Sequence, residues 1–263
     1  MPIDEIESKR LDLQHHIFHL TLEGNLFRAP LDLERVRNVL DMGTGTGFWA
    51  IDFAKLYPQT KIVGSDVSSL ERPRSYVKDD LPNLTFVLAN AEEEWKFEDR
   101  FDYIHGRMMT VVFKDVKRVF QHAFDSLQPG GWLEMQDPYS AIKSKDGSID
   151  GTTWEAVTDK WVKSGEARGV PFGTEPPNYK RYMEEIGFVD VHEEVLVWPT
   201  GPWMEDQRMK EIGKWWKINH VQAWQAFHRR STAVGEAKEN EDAELEKLLK
   251  DIMNPEIHGY VDL

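Results

Sequence analysis

The feature that most constrains the fold is an alternation of short apolar runs with amphipathic stretches between residues 37 and 137. The runs are nearly continuous in hydrophobic residues, which is typical of parallel strands covered by helices on both faces. Two intervening stretches, 47–57 and 116–127, repeat their apolar residues at helical spacing. This alternation predicts an α/β fold with a mostly parallel sheet and helices on both faces. The predicted strands are 37–42, 61–67, 84–91, 101–107 and 131–137.

Helical patterns flank this core on both sides. Apolar residues at helical spacing predict an N-terminal helix over 4–22. Beyond the fifth strand, the pattern predicts helices over 152–168, 179–187, 205–228 and 241–253, a long alternating strand over 188–198, and a mobile charged loop over 231–244. We therefore expect one domain over 1–263. Its parts are an N-terminal helical cap (1–35), a cofactor-binding core (36–140), and substrate-side inserts with the last strands, including a C-terminal helical insert (141–263).

The charge balance narrows the classes of partner. The chain has 46 acidic and 32 basic residues, a formal net charge of -14, and no cysteine. Nonspecific nucleic-acid binding needs clustered Lys and Arg, so we expect no nucleic-acid partner. We also expect no membrane partner, because no apolar run has the length that crosses a bilayer. The charged start is unlike a signal peptide, so we expect a cytoplasmic protein, with the nucleus left open.

Three glycines follow the first strand at the spacing Gly43-Thr-Gly45-Thr-Gly47. The dinucleotide fingerprint places its third glycine one residue later, where Phe48 stands. The phosphate-binding loop needs a Gly-Lys-Ser/Thr sequence, and the first lysine after the glycines is Lys55. Neither pattern is met, which disfavours a pyrophosphate or triphosphate. Glycine lets the backbone turn sharply and lie against a ligand, and helix amides beyond the turn favour a carboxylate.

Polar residues end three successive strands of the predicted sheet. Asp41 precedes the glycines, where a carboxylate suits an ammonium group, and Asp66 ends the second strand, where it suits two ribose hydroxyls. Asn90, Ala91 and Glu92 end the third strand, where they suit the edge of adenine. A tail site, a diol site and a base site would then share the carboxyl edge of the sheet. S-adenosylmethionine carries all three groups.

With these motifs, the chain resembles the class I S-adenosylmethionine-dependent methyltransferases, and more narrowly their fungal LaeA-like (UMTA-type) branch. The resemblance implies a Rossmann-like class I methyltransferase fold and S-adenosylmethionine as cofactor. It runs over nearly the whole chain in the order of the family. The segments that carry it are RLDLQHHIFHLTLEGNLFRAPL (10–31), VLDMGTGTGFWAIDFAKLYPQTKIVGSDVS (39–68), FDYIHGRMM (101–109), LQPGGWLEMQD (127–137), YKRYMEEIGFVDV (179–191), WPTGPW (198–203) and IHGY (257–260).

The resemblance also implies site residues. The turn after the fourth strand, His105 to Arg107, is implied to face the transferred methyl. Two departures stand out: the family usually has Asp where Asn90 stands, and its members continue past IHGY into a last antiparallel strand, which we expect to be short or missing here. The implied cofactor contacts are Asp41, Gly43, Thr44, Gly45, Gly47, Asp66, Val67, Asn90, Ala91 and Glu92.

Histidines are the natural candidates for a general base, which methyl transfer needs only for a hydroxyl or ammonium acceptor. His105 is the first candidate because it ends the fourth strand, although a hydrogen-bonded strand terminus is the alternative interpretation. His16 is the second candidate, on an N-terminal helix that would cover the ligand. Glu134 and Asp137 end the fifth strand and could face the substrate. We expect no metal, because no H-E-x-x-H motif is present.

Aromatic residues after the fifth strand favour a pocket for a small, largely apolar acceptor, such as a secondary metabolite. Met209, Ile212, Trp216, Ala223 and Phe227 follow helical spacing and are expected to pack on the core. Three tryptophans off this stripe could line the pocket or pack elsewhere: Trp203, Trp215 and Trp224.

Two other functions stay open at this point. One is a LaeA-like regulatory protein that acts through a protein partner, or as a homodimer. The other is a catalyst that uses the bound sulfonium only as a charge, to promote a cyclisation or rearrangement. The sequence distinguishes neither of them from methyl transfer to a small molecule.

Overall fold

The computed structural model describes residues 5–68, 81–233 and 241–263. Its main sheet has five strands in the order β3-β2-β1-β4-β5, and every pair is parallel. All five predicted strands are confirmed, with small shifts at their ends. The strands are β1 (Asn38–Met42), β2 (Lys61–Asp66), β3 (Leu84–Leu88), β4 (Phe101–Arg107) and β5 (Leu127–Gln136).

Helices cover both faces of this sheet, as the alternation predicts. Successive strand residues point to opposite faces, so Val39 packs with one apolar cluster and Leu40 with another. Trp49 belongs to the first cluster and Phe120 to the second. The helices are α1 (Glu5–Thr21), α2 (Phe48–Leu56), α3 (Val116–Ser126), α4 (Thr153–Ala167), α5 (Tyr179–Ile186), α6 (Gln207–Ala233) and α7 (Glu241–Met253), with a 3₁₀ turn at Pro176–Asn178. None of them, over the described ranges, is long and apolar enough to cross a membrane.

A second, antiparallel sheet lies beyond the main one. Its strands are β6 (Lys143–Ser144), β7 (Val197–Pro199) and β8 (Gly259–Asp262), in the order β6-β8-β7. The last strand of the chain is therefore present but short, with a neighbour on each side.

The predicted long strand over 188–198 is wrong for most of its length. Only its last two residues belong to β7, and ladder pairing begins at Leu196, which exchanges backbone hydrogen bonds with Leu263. Val189 and Val195 are largely exposed, and Asp190 has φ of 53°. Alternation alone does not make a strand, because a strand also needs a neighbouring backbone to pair with.

The predicted loop over 231–244 is also wrong at both ends. Residues 231–233 belong to α6 and 241–244 to α7, whereas 234–240 lie outside the described residues. The acidic residues that suggested a loop stand in the first turn of α7. That is where negative charge stabilises a helix.

The N-terminal helix α1 packs against α6 and the second sheet. Ile17 and Phe18 of α1 share an apolar cluster with Trp198, Ile212 and Val261. The indole of Trp198 donates a 2.8 Å hydrogen bond to Thr21 Oγ1, so its single polar atom is satisfied within the core. The cap and the C-terminal helices are thus one packed layer above the carboxyl ends of the strands.

Candidate functional site

A cavity of about 340 Å³ opens at the carboxyl end of the parallel sheet. Its floor is the rim formed by the ends of β1, β2, β3 and β4, and helices α1 and α6 form the opposite walls. Ligands of open α/β sheets bind at this edge. Eight of the ten predicted cofactor contacts line the cavity: Gly43, Thr44, Gly45, Asp66, Val67, Asn90, Ala91 and Glu92.

The glycine turn between β1 and α2 has left-handed backbone at each glycine, with φ of 70°, 55° and 80°. A Cβ at Gly43 would also lie 2.4 Å from Sδ of Met109, so the end of that side chain would have to shift. Thr44 N donates a 2.8 Å hydrogen bond to the carbonyl of Ser65, which joins the turn to β2. The turn therefore needs glycine for its left-handed conformation.

Asp66, at the end of β2, connects the glycine turn to the loop that follows the strand. Its Oδ2 accepts from Gly45 N at 2.9 Å, and its Oδ1 accepts from the backbone and hydroxyl of Ser68 at 2.8 and 2.6 Å. A carboxylate has about four lone-pair directions. Roughly one of them remains for a ligand hydroxyl in the cavity that Asp66 lines.

Asp41 and His105 form a buried pair behind the cavity wall. Asp41 Oδ1 lies 2.8 Å from Nδ1 of His105, and its Oδ2 accepts from the hydroxyl of Thr44 at 2.6 Å. The imidazole stacks on Trp49 with ring centroids 3.9 Å apart, and it is fully buried. Neither side chain lines the cavity.

Asp41, Gly47 and His105 lie outside the cavity lining, so their predicted roles at the ligand stay predictions. Asp41 accepts from the hydroxyl of Thr44, and Gly47 stands at the start of α2. His105 lies within β4, and its ring is enclosed between β1 and α2, outside the cavity lining. Among the residues from His105 to Arg107, which were implied to face the transferred methyl, Arg107 lines the cavity.

The end of β3 provides a short polar loop at the rim. Asn90 Oδ1 accepts from Glu92 N at 3.0 Å, and Glu92 Oε1 accepts from the backbone of Lys114 and Asp115 at 2.7 and 3.1 Å. The carbonyl of Ala91 accepts from the indole of Trp95 at 2.9 Å. These bonds fix the loop to the start of α3 and hold its side chains along the cavity.

Helix α1 contributes two polar clusters. Arg10 donates to both carboxylate oxygens of Glu7, at 2.8 and 2.6 Å, and to Oδ1 of Asn219 at 3.0 Å. His15 Nε2 lies 2.9 Å from Asp52 Oδ2, and its Nδ1 lies 2.9 Å from Nη2 of Arg107. The first cluster joins α1 to α6, and the second joins it to α2 and β4.

His16, the second predicted base, is exposed and outside the cavity. Its ring packs edge-on against Trp215, with centroids 5.5 Å apart. The side of α1 that meets the cavity instead carries Leu11 and Gln14, together with the Glu7–Arg10 pair. The predicted helix over the cavity is present as α1, but His16 lies on the side of it that points away from the cavity.

Arg107 lines the cavity, as Arg10 does. Burial lowers the pKa of its guanidinium to about 10, against the opposing attraction of Asp41 and Asp52. The group lies over the ring of Phe18 at 5.0 Å, a cation–π distance. It therefore stays protonated at neutral pH.

Glu134 and Asp137, which could have faced a substrate, act in the framework instead. Glu134 accepts from the backbone of Arg28 and Ala29 at 2.8–3.0 Å and from the hydroxyl of Tyr103 at 3.0 Å. It thus fixes the segment after α1 to the sheet, and it does not line the cavity.

Asp137 is buried beside the turn that follows β4. It accepts from Met109 N at 2.5 Å and from the hydroxyl of Tyr179 at 2.8 Å. Burial raises the pKa of this carboxyl to about 6. Its role is to hold Met109 against Gly43, and it too is absent from the cavity lining.

Helix α6 lines the far end of the cavity with one face. Trp216, Ala223 and Phe227, expected in the core, lie on this face, and so does Trp224. Trp203 and Trp215 do not line the cavity. The helical spacing of these residues could be seen in the sequence. Whether that face meets the core or a cavity depends on tertiary packing.

Two residues of the same face, Asn219 and His220, were missed by sequence reasoning. Asn219 is 1% exposed, and burial lowers the pKa of His220 to about 4, so its imidazole is neutral at physiological pH. Both line the cavity. Their spacing from Trp216, three and four residues, is the only signal that the sequence offered.

Comparison with known proteins agrees with this geometry. A family model described as a methyltransferase domain matches residues 13–193. The probable methyltransferase tdiE of Emericella nidulans is 34% identical, over 97% of this chain and 79% of its own length. The secondary metabolism regulator LAE1 of Cochliobolus heterostrophus is 28% identical, over 86% of this chain and 74% of its own.

Among solved structures, a phosphoethanolamine N-methyltransferase from Haemonchus contortus, in complex with S-adenosylhomocysteine, aligns with a TM-score of 0.53 at 18% identity. The alignment covers 97% of this chain and 51% of that one, so the chain spans about half of that structure's length. The likeness confirms the Rossmann-like α/β fold of the class I enzymes.

Proposed function

The chain belongs to the methyltransferase domain family, and on that premise we propose that it transfers a methyl group from S-adenosylmethionine to a small-molecule acceptor. The observation that supports this most is the continuity of one cavity. Its rim end has the glycine turn, Asp66 and the loop 90–92, and its far end is aromatic. One ligand at each end would share a single continuous cavity.

The rim residues fit the cofactor by their chemistry. Asp66 has about one acceptor direction left for a ribose hydroxyl after its three protein hydrogen bonds. Asn90, Glu92 and the glycine turn line the same cavity, and in this proposal the first two meet the edge of the adenine and the turn meets the amino-acid tail. We propose that these residues hold S-adenosylmethionine, which supplies an electrophilic methyl group on sulfur.

The protein's own part is then mainly positioning and exclusion of water. Holding two reactants in line supplies roughly 7–11 kcal/mol of the barrier reduction. Helix α1 covers the cavity and is held on both sides, by Arg10 on Asn219 and by His15 on Asp52. A covered, largely apolar cavity keeps water away from the reactive methyl group.

The test is transfer of isotope-labelled methyl from S-adenosylmethionine to a panel of planar, hydroxylated small molecules. We expect one S-adenosylhomocysteine for each methylated product. A product that forms without S-adenosylhomocysteine supports a charge-promoted cyclisation or rearrangement instead. Failure of S-adenosylhomocysteine to bind in isothermal titration contradicts the proposal at its first step.

A second candidate is a regulatory role through a protein partner, or as a homodimer. The similarity to a secondary metabolism regulator favours it. Copurification of a stable partner, together with no turnover on the panel, would support this role over the first. A cytoplasmic or nuclear location is likewise a proposal, supported by the acidic, cysteine-free composition.

A further inference from the structure

The α6 end of the cavity contains buried polar atoms that nothing in the described part of the chain satisfies. Nε1 of Trp216, Nδ2 of Asn219 and Nδ1 of His220 have no hydrogen-bond partner there. All three residues line the cavity, on one face of one helix. Unpaired buried polar atoms are costly and few in native proteins. Three such atoms on residues that line one cavity leave hydrogen bonds that a bound molecule could supply.

The orientation of the Asn219 amide follows from its other contact. Arg10 Nη1 lies 3.0 Å from Oδ1 of Asn219, and a guanidinium only donates. The atom left over is therefore Nδ2, a donor, which seeks an oxygen acceptor. Because Glu7 pairs with Arg10 through both of its oxygens, this charge is already neutralised and does not require an anionic ligand.

His220 sits among indole rings. Its ring centroid lies 5.2 Å from that of Trp154, 5.4 Å from Trp216 and 6.3 Å from Trp224. Burial lowers the pKa of the imidazole, which is therefore neutral at rest and can accept a proton.

The remaining wall determines the shape of the ligand. Phe172, Trp224 and Phe227 line the cavity, with centroids of Phe227 6.0 Å from Phe172 and 6.2 Å from Trp224. An aromatic wall without a free charge suits a flat, neutral ring system. The polar atoms on α6 then select for an oxygen at one edge of that ring.

Resting on the proposed function, we propose that the α6 end of the cavity binds a neutral planar aromatic acceptor through a hydroxyl group, held by Asn219 and deprotonated by His220. The hydroxyl oxygen accepts a hydrogen bond from Nδ2 of Asn219. It forms a bond to the methyl carbon with a lone pair, and the carbon–sulfur bond breaks with its pair on sulfur. The O–H bond breaks with its pair on oxygen, and the proton goes to the imidazole. One positive charge thus moves from sulfur to His220, and none is created.

The experiment measures binding rather than turnover. Protein saturated with S-adenosylhomocysteine is titrated with 2-naphthol, 2-methoxynaphthalene and naphthalene. The second probe keeps the acceptor oxygen but has no proton to donate, and the third lacks both. We expect the wild type to bind 2-naphthol roughly tenfold more tightly than 2-methoxynaphthalene, for one hydrogen bond. We expect it to bind 2-methoxynaphthalene more tightly than naphthalene.

Two variants separate the roles of the two residues. His220→Phe keeps a ring without nitrogen and should abolish the preference for 2-naphthol over 2-methoxynaphthalene. Asn219→Asp keeps an oxygen for Arg10 but replaces the free donor with an acceptor. It should abolish the preference for 2-methoxynaphthalene over naphthalene. Trp215→Phe, on the same helix but outside the cavity, is the matched control and should change neither preference.

The outcomes distinguish this inference from the proposed function. If the wild type does not bind S-adenosylhomocysteine, the proposed function fails. If it binds S-adenosylhomocysteine but shows no preference among the probes, or if His220→Phe retains the preference, the acceptor assignment is overturned. Thermal melting and S-adenosylhomocysteine affinity check each variant. Should His220→Phe fail to fold, Asn219→Asp decides the matter.

Discussion

Removing the carboxylate of Asp66 should weaken binding of S-adenosylhomocysteine more than it weakens the fold. In the structure this side chain joins Gly45 to Ser68 and lines the cavity. Asp66→Ala therefore removes a ligand contact and also loosens the turn that faces the ligand. The lost contact and the loosened turn should both weaken the binding of S-adenosylhomocysteine.

The magnitude follows from the hydrogen bonds that the carboxylate already makes. Three of about four lone-pair directions are used, so about one is left for a ribose hydroxyl. A hydrogen bond to a charged group contributes about 1.5–3 kcal/mol. This corresponds to roughly a 10- to 150-fold rise in Kd, before any effect of the loosened turn.

The assay is isothermal titration with S-adenosylhomocysteine, and Asp102→Ala is its matched control. Asp102 also accepts two backbone hydrogen bonds, from Arg37 and Asn38 at 2.7 and 2.9 Å, but at the amino end of β1, away from the cavity. We expect the control to lower Tm without a change in Kd beyond twofold. An unchanged Kd in a folded Asp66→Ala protein would refute the assignment of the diol site.

Three further predictions concern stability. Gly43→Ala should destabilise by the roughly 1–2 kcal/mol of left-handed strain plus the cost of shifting the end of Met109. Gly130→Ala, with φ of 83° and open space, should show the strain alone. Urea unfolding measures both variants, and equal losses would contradict the steric part. His220→Phe should reduce the loss of unfolding free energy that the wild type shows as the pH falls below 6.5. The unfolded histidine is protonated below its ordinary pKa of 6.5, whereas the native one is protonated only below about pH 4. The free energy of unfolding of the wild type therefore falls as the pH drops from 6.5 to 4, by up to about 3 kcal/mol. Parallel curves of unfolding free energy for wild type and variant between pH 4 and 7 would disprove this. Glu134→Ala should destabilise by roughly 1–3 kcal/mol, because the hydroxyl of the buried Tyr103 loses its acceptor; a change in Tm below one degree would contradict the anchoring role.

The sequence was sufficient to predict the main sheet and the rim of the site. Continuous apolar runs, glycine spacing and polar residues at strand ends are local signals, and each remains meaningful without knowledge of distant contacts. Gly43, Asp66 and Asn90 accordingly lie along one cavity. Whether they contact S-adenosylmethionine stays a prediction until binding is measured.

The failures share a different cause. His105 lies in β4 two residues before its end, and the stacking of its ring on Trp49 could not be predicted from spacing. The alternation over 188–198 looked like a strand, but pairing requires a partner that only the folded chain supplies. His220 stands in a helical stripe whose surroundings depend on how α6 meets the cavity. Long-range packing decided each of these cases.

The origin of the two cavity ends in separate parts of the chain has an evolutionary consequence. The residues proposed to bind the nucleoside lie in loops that follow strands of the main sheet. The opposite wall is largely α6, which follows the main sheet in the chain. Substitutions along that helix can change which acceptor is methylated without changing the residues proposed to bind S-adenosylmethionine. A lineage with this layout can diversify its products one helical position at a time.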